Sequence, residues 1–527
     1  MADVFTIIVI ILIIIAFLII NLYIIAYYCH PDDKGSVGGW VLKIIVIIGL
    51  TLSWIQVLLL PLDVSNNRTF GGGMDMHCFW YSIYIITLIY IFIISPIAKF
   101  YYETDETWSI KEKIGHSLCM VAVQLIIFII LAIIFYVTCK KAKIPAYAIN
   151  CSYAQNLSSS FTDYSENAKC NMSRENLQIE TNFIVICIAV LLFFAWIIFA
   201  IFGGIGLASV PIDLFYAFAT RPKHINSNDI INRKVKLMKS VEELKKLGEE
   251  VKRMEIQGFN RKCIFVKERR EYDRKLNQFR SGYTLVNKEF KIVNAENEAR
   301  KEGNCVFIWY YALLPLGILS TIASILWIIQ FICSFFVRSH GRAGVMFLST
   351  MFIFFQDHDC AFLSFIIFAI LNLYLLFCTL KGNFKFGFRV LCCSQFYPMK
   401  KNGTYMNSFL FNICLILFAS CAITHFSSEC FYDYVAFTDL DIIFYVIINH
   451  LPFFEFFYDN HIFQIILFII FVISLIYFII KPRDSIKALI HRNNTLDNTS
   501  SNGSNNSNNQ ITEGEGEHNE STSKIGN

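Results

Sequence analysis

The sequence predicts an all-α, polytopic transmembrane protein of about nine spans, with a helical-hairpin insertion on the cytosolic side. Three observations predict it. Apolar residues make up 55% of the chain and charged residues only 16%. Apolar runs recur at the length a bilayer demands, and much of the charge is gathered in one central segment. Water-soluble domains carry about a quarter of their residues as charges, so part of this chain's solvent is lipid. A hydrocarbon core about 30 Å thick takes roughly 20 residues of helix, because lipid offers backbone groups no partner.

The first apolar run, Val4 to Tyr28, lacks a basic start and a small-residue cleavage site and exceeds a signal peptide's core, so it reads as an uncleaved span. Trp40 to Leu60, Phe79 to Ala98, Ile114 to Thr138, Phe183 to Phe202 (extending toward Phe218), Val306 to Val337, Ala361 to Leu380, Phe409 to Phe426 and Ile462 to Ile480 complete nine. Ile442 to Phe457 is apolar but short and carries Pro452 and Glu455, which favours an interfacial or re-entrant segment over a tenth span. Met346 to Phe355 is also too short.

Lysine and arginine near span ends mark the cytosol. Lys34, Lys99, Lys111, Lys113, Arg221, Lys223, Lys381, Lys400, Lys401 and Lys481 then place the N-terminus outside and the C-terminus inside. Lys140, Lys141 and Lys143 fit this poorly. Sequons at Asn67, Asn150, Asn156 and Asn171 all fall in loops assigned to the outside, where they are glycosylation candidates. Five spans in residues 1–219, with an outside loop at 139–182, thus precede the cytosolic segment 220–304. Residues 305–480 hold four more spans. From 481 to 527 the Asn/Ser-rich composition cannot bury a core, and a disordered cytosolic tail is expected.

Segment 220–304 carries 22 basic and 13 acidic side chains. Leu237, Val241, Leu244 and Val251 keep coiled-coil spacing, interrupted by Gly248. Tyr272, Leu276, Phe279, Tyr283, Val286, Phe290 and Val293 keep it throughout. With Gly258 and Asn260 between the runs, an antiparallel hairpin follows. Its basic excess suits either a solvated structural face or contact with anionic headgroups.

Candidate sites are few. Lys43, Asp63 and Asp213 are the ionisable groups nearest lipid, none at mid-membrane. Gly203, Gly204 and Gly206, followed by Pro211 and Asp213, form the one candidate transport path, since carriers use broken helices. The competing reading is close packing through small residues. Gln356, Asp357, His358, Asp359 and Cys360 are dense in donors, but adjacent residues seldom converge on one ion, so they read as a polar cap and no metal site is assigned. Cys151 and Cys170 share the outside loop and are disulfide candidates. Cys29, Cys392 and Cys393 lie at cytosolic span ends, where palmitoylation occurs. No nucleotide, metalloprotease or hydrolase motif is present, so no catalytic residue and no cofactor is assigned. A net charge of +4 gives no reason to expect nucleic acid. The expected partners are the lipid bilayer, a protein engaging the cytosolic coil, and an extracellular or lumenal ligand.

Several segments carry a resemblance. Asn21-Leu22-Tyr23 through His30-Pro31-Asp32-Asp33, Leu60-Pro61-Leu62-Asp63-Val64, Phe100-Tyr101-Tyr102-Glu103, Phe199 to Gly204 with Arg221-Pro222-Lys223, and Tyr397-Pro398-Met399-Lys400 followed by Met406 to Asn412 together resemble the lipocalin-interacting membrane receptor (LIMR) family of the limb-region membrane protein superfamily, above all its plant and protist members. The resemblance runs in order from about residue 20 to 480. It implies nine spans, an outside N-terminus, a large cytosolic loop with coil character, and an inside C-terminus. It transfers no catalytic residue. Animal relatives are described as endocytic receptors for lipocalins or as lysosomal escorts of a cobalamin transporter. The expected function is therefore that of a non-enzymatic receptor or trafficking escort in the plasma or an endolysosomal membrane. The alternative is a small-molecule transporter or channel, with cobalamin-like cargo as an example.

Overall fold

The computed structural model describes residues 2–34, 37–69, 75–105, 107–152, 169–219, 221, 227–257, 266–302, 304–339, 347–358, 360–390 and 394–480. In chain order, α1 (Ala2–Tyr28) and α2 (Pro31–Lys34) lead to α3 (Val37–Thr69), α4 (Met76–Ile89), α5 (Ser95–Glu103) and α6 (Ile110–Cys139). Strands β1 (Lys141–Ser152) and β2 (Lys169–Glu180) follow, then α7 (Phe183–Ala219), α8 (Ser227–Ile256), α9 (Val266–Glu302), α10 (Asn304–Ser339), α11 (Phe347–Asp357) and α12 (Ala361–Phe386). The chain continues with β3 (Phe388–Val390), β4 (Ser394–Phe396), α13 (Met406–Cys430), α14 (Tyr432–Val435), α15 (Asp439–Asp441), α16 (Pro452–Asp459) and α17 (Ile462–Ile480).

Every span expected from sequence falls on a helix. Among the described residues, eight helical segments are long and apolar enough to cross a membrane, and the Ile15–Tyr28 part of α1 is a shorter apolar stretch. Local chemistry sets their starts. Ser109 and Glu112 cap α6 reciprocally, the Ser109 amide donating to Glu112 Oε2 at 2.8 Å and the Glu112 amide to Ser109 Oγ at 3.4 Å. Asp75 caps α4 by accepting from the Cys78 amide. Between α4 and α5 the helix widens into a π-turn, Tyr90–Ile94, one turn before Pro96. The Tyr90 hydroxyl reaches the Ile45 carbonyl at 2.9 Å, across Gly49, whose missing side chain leaves room for that ring.

Two compact units divide the described residues. One comprises residues 1–212 and 319–480, and its axis is α13. Of α13's membrane window 83% is buried inside the protein, against 11% for α6, whose Ile126, Ile127, Ile130, Ile134 and Val137 face outward. A helix wrapped by helices can carry polar groups that lipid would not tolerate, provided neighbours satisfy them. The Gln56 side chain on α3 donates to Cys421 Sγ and accepts from Ser420 Oγ. Tyr84 on α4 bonds Thr424 at 3.2 Å. In the same unit, Gly206 of α7 packs backbone to backbone against Cys378, and Gly382 of α12 against Phe202.

Residues 141–152 and 169–180 of the expected outside loop are strands. Strands β1 and β2 form a twelve-rung antiparallel hairpin. Its polar-apolar alternation is weak, which hid it from pattern reading. Lys140 and Lys141, the lysines that strained the charge rule, both approach Glu180, at 3.9 and 4.0 Å. Ile442 to Phe457, expected to be interfacial or re-entrant, is not one continuous helix. Its helix passes through a π-turn (442–447) and a 3-10 turn (448–450), stops at Leu451, and restarts at Pro452 as α16.

The second unit, Asp213–Ile318 among the described residues, holds α8 and α9 packed antiparallel. Gly248 does not interrupt α8. It makes room for the Phe279 ring, and Gly282 makes room for Leu244. Leu237, Val251, Tyr272 and Val293 are buried in the seam, but Val241, Tyr283 and Phe290 are exposed. The row 272, 279, 286, 293 faces α8, with Phe279 against Gly248, and positions 283 and 290 of the alternate row lie off it.

Candidate functional site

Three of the segments that carry the family resemblance, around residues 21–33, 100–103 and 397–407, meet at one end of the first unit. The chain before α2 and the chain before α13 pair as a short parallel bridge, Cys29 with Thr404. The His30 amide donates to the Thr404 carbonyl at 2.9 Å and the Thr404 amide to the Tyr28 carbonyl at 3.1 Å. The Asp33 carboxylate accepts from the Tyr102 hydroxyl at 3.0 Å and from the Met406 amide, where it also occupies the exposed start of α13. Glu103 accepts from the Tyr397 hydroxyl at 2.7 Å and from Asn407. Partial burial and the Glu103 carboxylate push the Tyr397 hydroxyl up to about 12. A raised phenol favours the folded state fully below its ordinary value near 10, and that contribution fades as pH climbs through 12. Each bond joins residues about 70 to 370 positions apart, which makes this end a clasp.

At the opposite end of α13 lies a buried polar network that sequence reading missed. His425 and Glu429 stand one turn apart and sit 0% and 5% exposed. Trp196 on α7 donates its Nε1–H to His425 Nδ1 at 3.1 Å. Indole nitrogen can only donate, so Nδ1 is the bare nitrogen and the imidazole proton is on Nε2, which donates to Asn449 Oδ1 at 3.0 Å. Asn449 Nδ2 in turn donates to Glu429 Oε1 at 3.2 Å. Gln464 on α17 donates to Glu429 Oε2. Every N–H in the chain thus points toward one carboxylate. Among the described residues Glu429 has no lysine or arginine partner, and His425 Nδ1 is 3.9 Å from Glu429 Oε2. The Tyr458 hydroxyl and Gln464 Oε1 are buried with no hydrogen-bond partner. A cavity of about 10 Å³, lined by Ser334, Glu429, His461, Gln464 and two phenylalanines, borders the carboxylate. The sequence signal was His425-x-x-x-Glu429 closing an apolar run. Ending the span at Phe426 left Glu429 outside it and concealed the pair.

The residues singled out from sequence fall elsewhere. Gly203, Gly204 and Gly206 lie in an unbroken α7 that passes through Pro211 and Asp213 to Ala219, so the expected break is absent. A Cβ on Gly204 would meet the Leu467 carbonyl at 2.9 Å, and one on Gly206 the Cys378 carbonyl at 1.9 Å. Asn67 is helical, and its Nδ2 donates to the Phe437 carbonyl at 2.6 Å. Asn150 pairs with Asn171, and Cys151 with Cys170, as direct register partners across β1 and β2. Asn156, Cys392 and Cys393 lie outside the described residues. Cys29 is buried, which removes its thiol from a modifying enzyme's reach. His358 bonds its own helix at the Phe354 carbonyl, and no group of three metal-ligating residues occurs among the described residues. Asp63 serves as a buried acceptor for Trp80 Nε1 at 2.8 Å and the Leu440 amide at 3.1 Å.

Comparison with known proteins identifies the family. A LIMR family protein of Dictyostelium discoideum is 30% identical over 88% of this chain and 95% of its own length. One from Oryza sativa is 25% identical over 88% of this chain and 93% of its own. A Dictyostelium discoideum protein named a probable lysosomal cobalamin transporter is 24% identical over 37% of each. No solved structure matches. The profile of the LMBR1-like membrane proteins matches residues 6–278, from the first span into the start of α9, and with these relatives it establishes that the chain belongs to the LMBR1-like, or LIMR, family of membrane proteins.

Proposed function

We propose that this protein is a receptor or trafficking escort in the plasma or an endolysosomal membrane. It meets a ligand through the β1–β2 hairpin on the outer or lumenal side and a protein partner through α8–α9 on the cytosolic side. One span, α7, separates the two hairpins, so they belong to opposite compartments. The observation that carries the reading is the row Ile231, Val235 and Met238 on α8. These residues are 58%, 47% and 68% exposed and follow the i, i+4, i+7 spacing of one helix face. An apolar row left outside the seam suits a helix-in-groove or helix-on-helix partner. Proximity labelling from the hairpin should give a neighbour set that Ile231→Asp with Met238→Asp depletes, while the seam residues and the membrane bundle remain. An unchanged set counts against the reading.

A carrier function has one specific support, the relative named a probable lysosomal cobalamin transporter. Protein in liposomes would then move a solute, at a rate altered by Asp213→Asn. Flux that is absent, or indifferent to that change, removes it.

A further inference from the structure

We propose that Glu429 is a proton-binding site inside the membrane bundle, exchanging one proton with the compartment on the β-hairpin side. A carboxylate buried among helices is costly unless a cation or fixed donors balance it. Here no lysine or arginine among the described residues does so, and His425 is held neutral by the Trp196 N–H. Two amide donors, from Asn449 and Gln464, stabilise the ionised form.

The protonated form has a ready acceptor. The orphan Gln464 Oε1 is on the amide that already touches Glu429 Oε2. Turning that amide over lets Glu429 O–H donate to Gln464 Oε1, with no other side chain displaced. The adjoining cavity, about 10 Å³, is the size of one water, which can serve the amide's other end in either state. The proton comes from the water at the α16–α17 turn, where His461 lines the same cavity.

The titratable groups facing Glu429 are His425 and Cys430 on α13, Tyr458 on α16 and His461 in the turn before α17. Trp196 on α7, Gln330 and Ser334 on α10 and Gln464 on α17 do not titrate. Proton occupancy therefore alters a group that ties α13 both to α17 and to the Asn449 turn.

The test is infrared difference spectroscopy on the full-length protein in nanodiscs, between about pH 4.5 and about pH 8. Wild type should gain a protonated-carboxyl C=O band in acid, titrating with the slope of a single proton. Glu429→Gln should lose that band, and Glu429→Asp should keep one at shifted frequency. Gln464→Leu, which lacks the acceptor for the protonated carboxyl, should keep the band but move its frequency. A band that survives in Glu429→Gln, or a wild type that shows none across the range, overturns the proposal. Should Glu429→Gln fail to fold, the aspartate and Gln464 variants decide it. An aspartate variant whose band has not moved, or a Gln464→Leu band at the wild-type frequency, is equally fatal.

Discussion

The carbonyl oxygen of Cys378 sits where a methyl group on Gly206 would be, and Phe202's sits where one on Gly382 would be. Neither oxygen is the far end of a flexible side chain, so relief requires whole helices to part. Gly206→Ala should therefore destabilise the protein by at least about 1–3 kcal/mol, read as a lower midpoint of thermal unfolding in detergent. Gly115→Ala is the contrast. No neighbour lies within 4 Å of its Cβ position, so it should be neutral or gain up to about 1 kcal/mol from helix propensity. Asn67 gives a second residue-scale expectation. Its amide nitrogen is engaged with Phe437 inside a helix, so Asn67→Gln should leave electrophoretic mobility before and after enzymatic deglycosylation unchanged. Substituting Asn150, Asn156 and Asn171 together should abolish the mobility shift.

Among elements, α8 and α9 separate what periodicity can reveal from what it cannot. Spacing identified both helices and their antiparallel pairing, because apolar repetition is local information. It could not distinguish Tyr272, in the seam, from Phe290, outside it, because helical phase depends on where the partner helix contacts. Gly248 looked like a breaker for a related reason. A missing side chain is informative only beside the ring that occupies its space. The ion pairs obey the same contrast of context. Arg233 meets the buried Glu296 at 3.3 Å, whereas Lys275 and Glu250 are both substantially exposed. Arg233→Met should cost about 1.5–3 kcal/mol and speed proteolytic cutting between the helices. Lys275→Met should change that rate little, since exposed pairs contribute about 0–1 kcal/mol. The β1–β2 hairpin carries its own expectation. Direct register of Cys151 with Cys170 brings the backbone within disulfide reach, so mass-spectrometric mapping without reductant should recover the linked peptides. Finding both thiols free would refute the pairing.

At the scale of the whole molecule, composition and run length were enough for the class of fold and for the order of the spans, since the length needed to cross oil is written in each run separately. The polar interior was not legible. His425, Asn449, Glu429 and Gln464 come from three stretches of chain, and only packing brings them together. The clasp at the other end was visible only as a set of motifs, with no hint that Asp33 and Met406 touch. Topology makes the whole-molecule prediction. Cysteines introduced singly at exposed positions on β2 and on α9 should react with impermeant reagents from opposite faces of sealed vesicles. Labelling from the same face would refute the assignment of compartments.

The burial of α13 also bears on biogenesis. A strand of nascent polypeptide leaves the translocon by partitioning into fat, yet this helix finds much of its proper solvent in earlier-made neighbours, and its window is the least hydropathic of the eight. Ribosomes halted just past residue 430 should therefore hold a chain whose late helix lingers at the exit gate until α3 and α4 receive it. Mutations on those receiving surfaces should then be felt as failed insertion, long before any ligand is met.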